Sequence, residues 1–405
     1  MHGIKEHLPD YVPELLGVLA AHGKRGYLVG GSLRDLLRGV KPNDFDLTTN
    51  ATPAEMLEIF KDYRTIETGL AHGTVTVLAK GHPVEITTHR TDGIYTDSRH
   101  PDSVTFTADL TEDLARRDFT VNAMAWSEET GLVDPFGGRS DLECRILRAV
   151  GDPETRFSED ALRILRCFRF AAQLDFDIDP ATERGAAACA ARLSGIAVER
   201  IFAELTRTLT GAAAQKGLLA LANAGCIPAV FFDTKPDLTK LSCLSALPAE
   251  PPLRLAALLS HESEEGLASL VKRWHAPNAF LNALCATVRA LGDAIPETPY
   301  EARRFVCRHF PHFEGALLLK GVLEDQSTAE SLALTRTVFK DGTAVEIRRL
   351  AVNGRELQEK VGVRVEKTAT LLARLQDLVW QDPQSNRRDT LLTAAHNICE
   401  KENWR

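Results

Sequence analysis

Several things are scarce in this chain, and each scarcity excludes something. The eight cysteines, Cys144, Cys167, Cys189, Cys226, Cys243, Cys285, Cys307 and Cys399, are scattered; none forms a CxxC and none has a nearby histidine pairing. That argues against a structural zinc site and a disulfide framework, and points to reduced thiols. Long hydrophobic runs are missing too: the longest nearly apolar stretch, residues 217–232, contains Asn223 and Pro228 and falls short of the ~20 residues of a membrane span. No membrane partner is expected. Lys5 and Glu6 bring charge too early for a secretory signal, so the expected address is the cytoplasm. There is no excess of positive charge: 48 Lys and Arg face 56 Asp and Glu, a net −8. The surface as a whole is therefore not built to attract polyanions, which leaves room only for a local basic groove. Internal repeats, low-complexity tracts, a P-loop GK[ST] and a GxGxxG are all absent, so neither the P-loop nor the dinucleotide-fold reading applies.

What is present is a chain of 405 residues, 44% apolar and 26% charged. It is soluble, globular and large enough for roughly two to four packed units. Up to about residue 140 helical and strand patterns alternate. Tyr11–Ala21 has helical apolar spacing, Tyr27–Val29 reads as a strand, and Gly30-Gly31 lead into a helix expected from Ser32 to Arg38. Thr52, Pro53 and Glu55 combine an N-cap, a proline at the first helical position and a capping-box glutamate. Thr74–Ala79 and Val84–Arg90 are β-branched runs around a turn at residues 80–83, which predicts a hairpin. Beyond Asp141 the chain is rich in alanine and leucine at helical spacing, broken at Pro180, Pro228, Pro248 to Pro252, Pro296 and Pro299. The expected fold class is α+β, a small α/β head followed by a long helical remainder.

The sharpest feature is Asn43-Asp44-Phe45-Asp46-Leu47. In an extended strand Asp44 and Asp46 project together while Phe45 turns away. An acidic turn facing water is the ordinary use of such a pair. Two carboxylates on one edge repel, however, and a divalent cation between them removes the conflict; oxygen ligands of this kind suit Mg²⁺ with a bound phosphate. Glu85, on another predicted strand, supplies a third carboxylate, and three acidic groups on neighbouring strands can hold two ions. Gly30-Gly31-Ser32-Leu33-Arg34, between a strand and a helix, presents backbone N–H groups and the donors of Ser32 and Arg34 to a phosphate, although a Gly-Gly turn alone is more often only a turn.

Residues 28–39 followed by Asp44-Phe45-Asp46 resemble the signature of the polymerase-β-like nucleotidyltransferases. More narrowly the chain is similar to the class II tRNA nucleotidyltransferases of the bacterial, Gram-positive-type branch, the CCA-adding enzymes, and to the related poly(A) polymerases. Three later stretches carry the narrower likeness: Arg116 to Ala123 (RRDFTVNA), Asp134 to Gly138 (DPFGG) and Glu159 to Phe170 (EDALRILRCFRF). The resemblance covers residues 26–175 most strongly. It implies a head over residues 1–140, a base-recognising neck over 141–210, and a body (211–300) and tail (301–405) that grip the tRNA acceptor arm. It implies addition of C, C and A to tRNA 3′ ends from CTP and ATP. Asp44, Asp46 and Glu85 would be catalytic, the first two holding Mg²⁺ in a site of two ions. Gly31, Ser32, Arg34, Arg117, Asp118, Asn122, Asp160, Arg163, Arg166 and Arg169 would bind nucleotide, with Arg117 near the triphosphate and Asp118 and Asn122 near the ribose. Monomer and homodimer stay open.

The last motif can also be read physically. From Asp160 at helical spacing, Ala161, Ile164, Leu165 and Phe168 share one arc, and Asp160, Arg163, Arg166 and Arg169 the other. A solvated charged face is the ordinary outcome, yet three arginines and no lysine favour planar, forked recognition. Were Asp160 and Arg163 to meet a Watson–Crick edge, one acceptor and one donor would suit cytosine (N4 donor, N3 acceptor) and adenine (N6 donor, N1 acceptor). Guanine and uracil present the reverse order. Such a pair discriminates by ~1–3 kcal/mol.

The polar stretch from Arg90 to Asp102 reads as a loop, which in the family accompanies addition of the terminal adenosine, and His89 stands where many relatives have an aromatic. Arg303, Arg304, Arg348, Arg349, Arg364, Lys367, Arg387 and Arg388 are candidate RNA-backbone contacts, and residues 350–354 resemble a tail segment of the bacterial enzymes. A poly(A) polymerase, an A-adding enzyme and a non-catalytic RNA-binding protein are the alternatives.

Overall fold

The computed structural model describes residues 3–92 and 104–404. The expected loop therefore lies, over residues 93–103, outside the described residues. The chain divides into two compact units, one of residues 1–235 with 273–275, the other of 236–272 with 276–405.

The first unit opens with helices α1 (Gly3–Glu6) and α2 (Tyr11–Ala21), strand β1 (Gly26–Val29), helix α3 (Gly30–Leu37), strand β2 (Asp46–Thr49), helix α4 (Pro53–Ile59) and strands β3 (Arg64–Ile66), β4 (Thr74–Ala79) and β5 (His82–Thr88). Short strands β6 (Arg90–Asp92) and β7 (Val104–Phe106) pair with each other, and helix α5 (Leu110–Ala115), strands β8 (Ala125–Ser127) and β9 (Gly131–Val133) and helix α6 (Gly138–Cys144) follow. The main sheet runs β3-β4-β5-β2-β1-β8-β9; only β2 and β5 are parallel, the other neighbours being antiparallel.

Local chemistry explains much of this. Thr52 and Glu55 form the expected capping box at α4. The β4–β5 hairpin turns on Lys80 and Gly81, both at positive φ (50° and 85°), the two-residue turn whose twist matches the strands. Val75, Val77, Ala79, Val84 and Ile86 are fully buried while Glu85 between them is exposed, the alternation of a sheet with one covered face.

Some boundaries differ from expectation. The helix predicted from Ser32 begins at Gly30, because Gly30 at φ +70° turns the chain directly out of β1. Asp44 sits in a bend before β2, which starts at Asp46. Phe45 is nevertheless buried, edge-on to Tyr11 at 6.1 Å, and Asp44 exposed, so the alternation survives. The run to Arg90 is broken after Thr88, where a second strand pair begins.

The same unit continues with β10 (Ile146–Leu147), α7 (Pro153–Glu159), α8 (Leu162–Leu174), β11 (Asp177–Ile178), α9 (Pro180–Cys189), α10 (Val198–Leu209), α11 (Ala214–Asn223) and α12 (Ile227–Phe231). Helix α8 packs against α10 and α11. At Gly217 a Cβ would lie 2.5 Å from Phe168 O, so only glycine lets α11 approach so closely. Pro180, Pro228, Pro251 and Pro299 sit at helix starts while Pro248 and Pro296 lie in connections: Pro180 follows the N-cap Asp179, whose carboxylate accepts from the N–H groups of Ala181 and Thr182. The parallel pair β10–β11 interrupts the all-helical expectation; two residues per strand leave no periodic signal.

The second unit is helical among its described residues. One core gathers Ala302, Phe305, Val306, Phe313, Leu317 and Leu332, another Leu357, Leu371, Leu375, Val379, Leu391 and Cys399. Among the described residues no helix is long and apolar enough to cross a membrane.

Candidate active site

The parallel register of β2 and β5 sets Asp46 opposite Glu85, and the antiparallel register of β1 sets Val29, the last residue before the glycine turn, opposite Asp46. Three segments far apart in sequence thus bring two carboxylates and a helix N-terminus together. The first turn of α3 has no side-chain cap, so its N–H groups are available to an anion. A Cβ at Gly30 would meet Arg117 Nη1 at 3.3 Å and Asp46 Oδ2 at 3.8 Å, so the missing side chain is what lets these groups converge on the turn. Burial, then the charges of Asp44 and Glu85, push the Asp46 carboxyl from 3.8 up to about 6, against the pull of Arg117. A carboxylate so crowded by negative charge is a site that gains from a cation. Among the described residues no three His, Cys, Asp or Glu side chains enclose a metal position by themselves. The donor chemistry still fits a hard divalent ion, which commonly takes one or two carboxylates and completes its shell with phosphate oxygens and water.

Arg34 lies on α3 with Nη1 donating to Asn122 Oδ1 at 2.8 Å and Nε to Asp35 Oδ1 at 2.9 Å. The buried Ser32 hydroxyl donates to Val29 O at 2.9 Å, so it locks the turn. Asn122 donates through Nδ2 to Asp118 Oδ1 at 3.1 Å, and Arg166 Nε donates to Asp118 Oδ2 at 2.8 Å. Burial would raise the Asp118 carboxyl, but Arg166 and Asn122 hold it well below the usual carboxylate range. Arg34, Asn122, Asp118 and Arg166 form one connected chain from α3 to α8.

Asp160 does not begin α8. It sits extended between α7 and α8 (φ −136°, ψ 103°), its Oδ1 accepting from Leu162 N–H at 3.0 Å. Burial raises its carboxyl, with that N–H and the more distant Arg200 opposing. The arginines of α8 are not a solvated face either, for Arg163 and Arg169 are buried and Arg166 half-buried. Arg163 Nη1 donates to Glu159 Oε2 at 2.6 Å and Nη2 to Arg116 O at 2.9 Å. Arg169 Nε meets Glu204 Oε2 at 2.9 Å without hydrogen-bond alignment; burial, then Arg166, lower its guanidinium to about 10.

Sequence reasoning missed two organisers. The Phe170 ring carries the guanidiniums of Arg34, Arg166 and Arg169 at 5.3, 5.3 and 4.1 Å from its centroid, so one aromatic ring gathers arginines from two helices. Asp113 is fully buried and accepts from Arg116 and Arg117. An acidic residue three and four places before two arginines was the available signal. His89 is buried with its ring 6.0 Å from that of Tyr27, so it packs where an aromatic was expected.

In the second unit several candidate RNA contacts have internal partners. Arg303 Nη1 donates to Trp380 O at 2.6 Å, Arg364 Nη2 to Asn403 O at 2.6 Å, and Arg388 Nε to Glu356 Oε1 at 2.7 Å; Arg348 pairs with Glu346 at 2.6 Å. Lys367 lies 5.9 Å from the Trp404 ring.

Residues 26–148 match the poly A polymerase head domain family, and residues 175–241 the family described as the probable RNA and SrmB-binding site of polymerase A. A CCA-adding enzyme of Streptococcus suis is 35% identical over 412 aligned positions, covering 98% of this chain and 99% of that protein. One from Levilactobacillus brevis is 41% identical over 70% of this chain and 73% of its own length. The crystal structure of the Bacillus stearothermophilus CCA-adding enzyme in complex with CTP superposes with a TM-score of 0.84, at 30% identity, over 98% of this chain and all of that one. With likeness running the length of the chain in both sequence and fold, this protein belongs to the CCA-adding enzymes, a family of metal-dependent nucleotidyltransferases.

Proposed function

We propose that this chain adds C, C and A to the 3′ ends of tRNA from CTP and ATP with release of pyrophosphate, using the residues converging on β2 and α3. The observation that carries the assignment is the Asp46–Glu85 register beside an uncapped helix N-terminus and Arg117. Asp44 and Asp46 would hold Mg²⁺, in a site of two ions. When bound, the ions neutralise the triphosphate and lower the pKa of the attacking 3′-hydroxyl. The protein's own part is positioning. N–H groups of Gly31 and Ser32, with Arg34 and Arg117, take phosphate oxygens; Asp118 and Asn122, tied together and to Arg34 and Arg166, take the ribose; and Glu85 orients the 3′-hydroxyl.

Asp160 and Arg163 choose the base. Asp160 accepts the amino proton that cytosine and adenine share, and Arg163, held by Glu159 and Arg116 O, donates to the adjacent ring nitrogen. Arg166 and Arg169 complete the basic wall of that pocket. The nucleotide contacts divide between a head of residues 1–140 and a neck of 141–210. A body of 211–300 and a tail of 301–405 take the tRNA acceptor arm by shape and phosphate. The compartment is the cytoplasm.

The test is incubation with tRNA lacking CCA, given CTP, ATP, GTP or UTP, followed by sequencing of the ends. CCA ends are expected with CTP and ATP together. Addition of A alone, only to ends already carrying CC, would show an A-adding enzyme instead. Asp160→Asn or Arg163→Lys is expected to reduce discrimination against GTP and UTP by ~10-fold or more; unchanged selectivity refutes the base assignment.

A further inference from the structure

Helix α5 carries Asp113 on its inner face, a carboxylate with no solvent exposure. Oδ1 accepts from Arg116 Nε at 3.0 Å, Arg116 Nη2 at 2.8 Å and the Arg90 N–H at 3.3 Å; Oδ2 accepts from Arg117 Nη2 at 3.3 Å and Thr48 Oγ1 at 3.4 Å. A buried charge is tolerated only when paired and hydrogen-bonded. Stability alone would be served by one arginine, and Arg116 already lies on Asp113 with two nitrogens. The connections beyond that pair separate this carboxylate from an ordinary structural one.

Thr48 lies two residues after Asp46 on β2, and its single hydroxyl proton is shared between Asp113 and the nearer Thr87 O at 3.0 Å, two residues after Glu85 on β5. Arg117 is held by Asp113 on one edge. Its Nη1 reaches the glycine turn, 3.3 Å from where a Cβ of Gly30 would stand, and its charge acts on Asp46. Its buried Nε has no hydrogen-bond partner, so Asp113 is what fixes the orientation of the fork. Released from Asp113, the guanidinium would be drawn to the nearest crowded negative charge, Asp46.

We propose that Asp113 is a positioning residue for nucleotidyl transfer, holding the Arg117 guanidinium at the glycine turn to receive the triphosphate and keeping it off Asp46. This rests on the assignment of Arg117 to the triphosphate. Asp113 touches no reacting atom and acts through Arg117.

The experiment is a double-mutant cycle of Asp113→Asn and Arg117→Ala in the full chain. It reads equilibrium CTP affinity without tRNA, and KM and kcat with tRNA, after thermal unfolding has shown each variant to be folded. Each single variant is expected to weaken CTP binding and raise KM about tenfold, with kcat at saturation changed by less than about threefold, and the double variant to be no worse than Arg117→Ala alone. If Asp113→Asn leaves affinity and KM within about twofold while Arg117→Ala does not, or if the two losses multiply, the positioning role is overturned and the role of Arg117 stands. If Arg117→Ala leaves CTP affinity intact, the triphosphate assignment fails and the proposal with it. Should Asp113→Asn not fold, Asp113→Glu, which keeps the charge and moves it by one methylene, is expected to raise KM with kcat nearly unchanged; an unchanged KM overturns the proposal.

Discussion

Replacing Asp46 by asparagine should make the metal-free protein more stable while abolishing its activity. The folded protein pushes the Asp46 carboxyl from 3.8 to about 6, by burial first and then by the charges of Asp44 and Glu85. Because the folded pKa is the higher one, the folded state holds this proton more tightly than the unfolded chain does. The stability that protonation confers is complete below about pH 4 and lost as the pH rises through about 6. About two units at 1.36 kcal/mol each sets an upper bound near 3 kcal/mol at neutral pH. Glu85 and Asp44 are exposed, so salt screens their share and ~1–3 kcal/mol is the expected gain. Asparagine keeps the shape without the charge, and at ~2–4 °C per kcal/mol the thermal midpoint should rise by roughly 2–12 °C at pH 7.5 in chelator. The gap should close on acidification to about pH 4, and added Mg²⁺ should stabilise the wild type more than the variant. An Asp46→Asn protein no more stable than wild type at pH 7.5, or a gap independent of pH, would refute this account of the site as anionic strain awaiting a cation.

Phe170→Leu keeps an apolar filler but removes the aromatic ring shared by three guanidiniums, each contact being worth ~0.5–2 kcal/mol. Steady-state kinetics should show KM for both nucleotides raised by about fivefold or more and restored by Phe170→Tyr; an unchanged KM in the leucine variant makes the ring mere packing. Glu204→Gln strands the Arg169 charge, whose side chain is 9% exposed, and should cost ~3–5 kcal/mol in thermal unfolding. Joint replacement by Glu204→Leu and Arg169→Met should recover most of that stability, and failure to do so would locate the loss elsewhere.

Local chemistry determined what the sequence could reveal unaided. The Thr52–Glu55 capping box, the Lys80-Gly81 turn, the alternation along β4 and β5 and the helix α2 all depend on partners a few residues away, so spacing alone announces them. The motifs that carry the family likeness are equally local, and the likeness led to the same enzyme family that full-length similarity later showed. Strands β8 to β11, of two or three residues each, are too short for a period to register.

Only the tertiary structure could decide what the charges do. On a single helix Arg163 and Arg169 look like a solvated face, since the nearby Glu159 and Phe170 do not by themselves announce that the helix face will be covered. Their burial is made possible by Glu159 and Arg116 O for one, and by Glu204 and Phe170 for the other. The Asp46–Glu85 register, the Arg34–Asn122 bond across 88 residues, the Arg166–Asp118 bond across 48 and the Thr48 hydroxyl on Asp113 across 65 belong to the same class. Sequence named the ionic groups; desolvation and long-range pairing, which leave no local pattern, determined their partners and therefore the site.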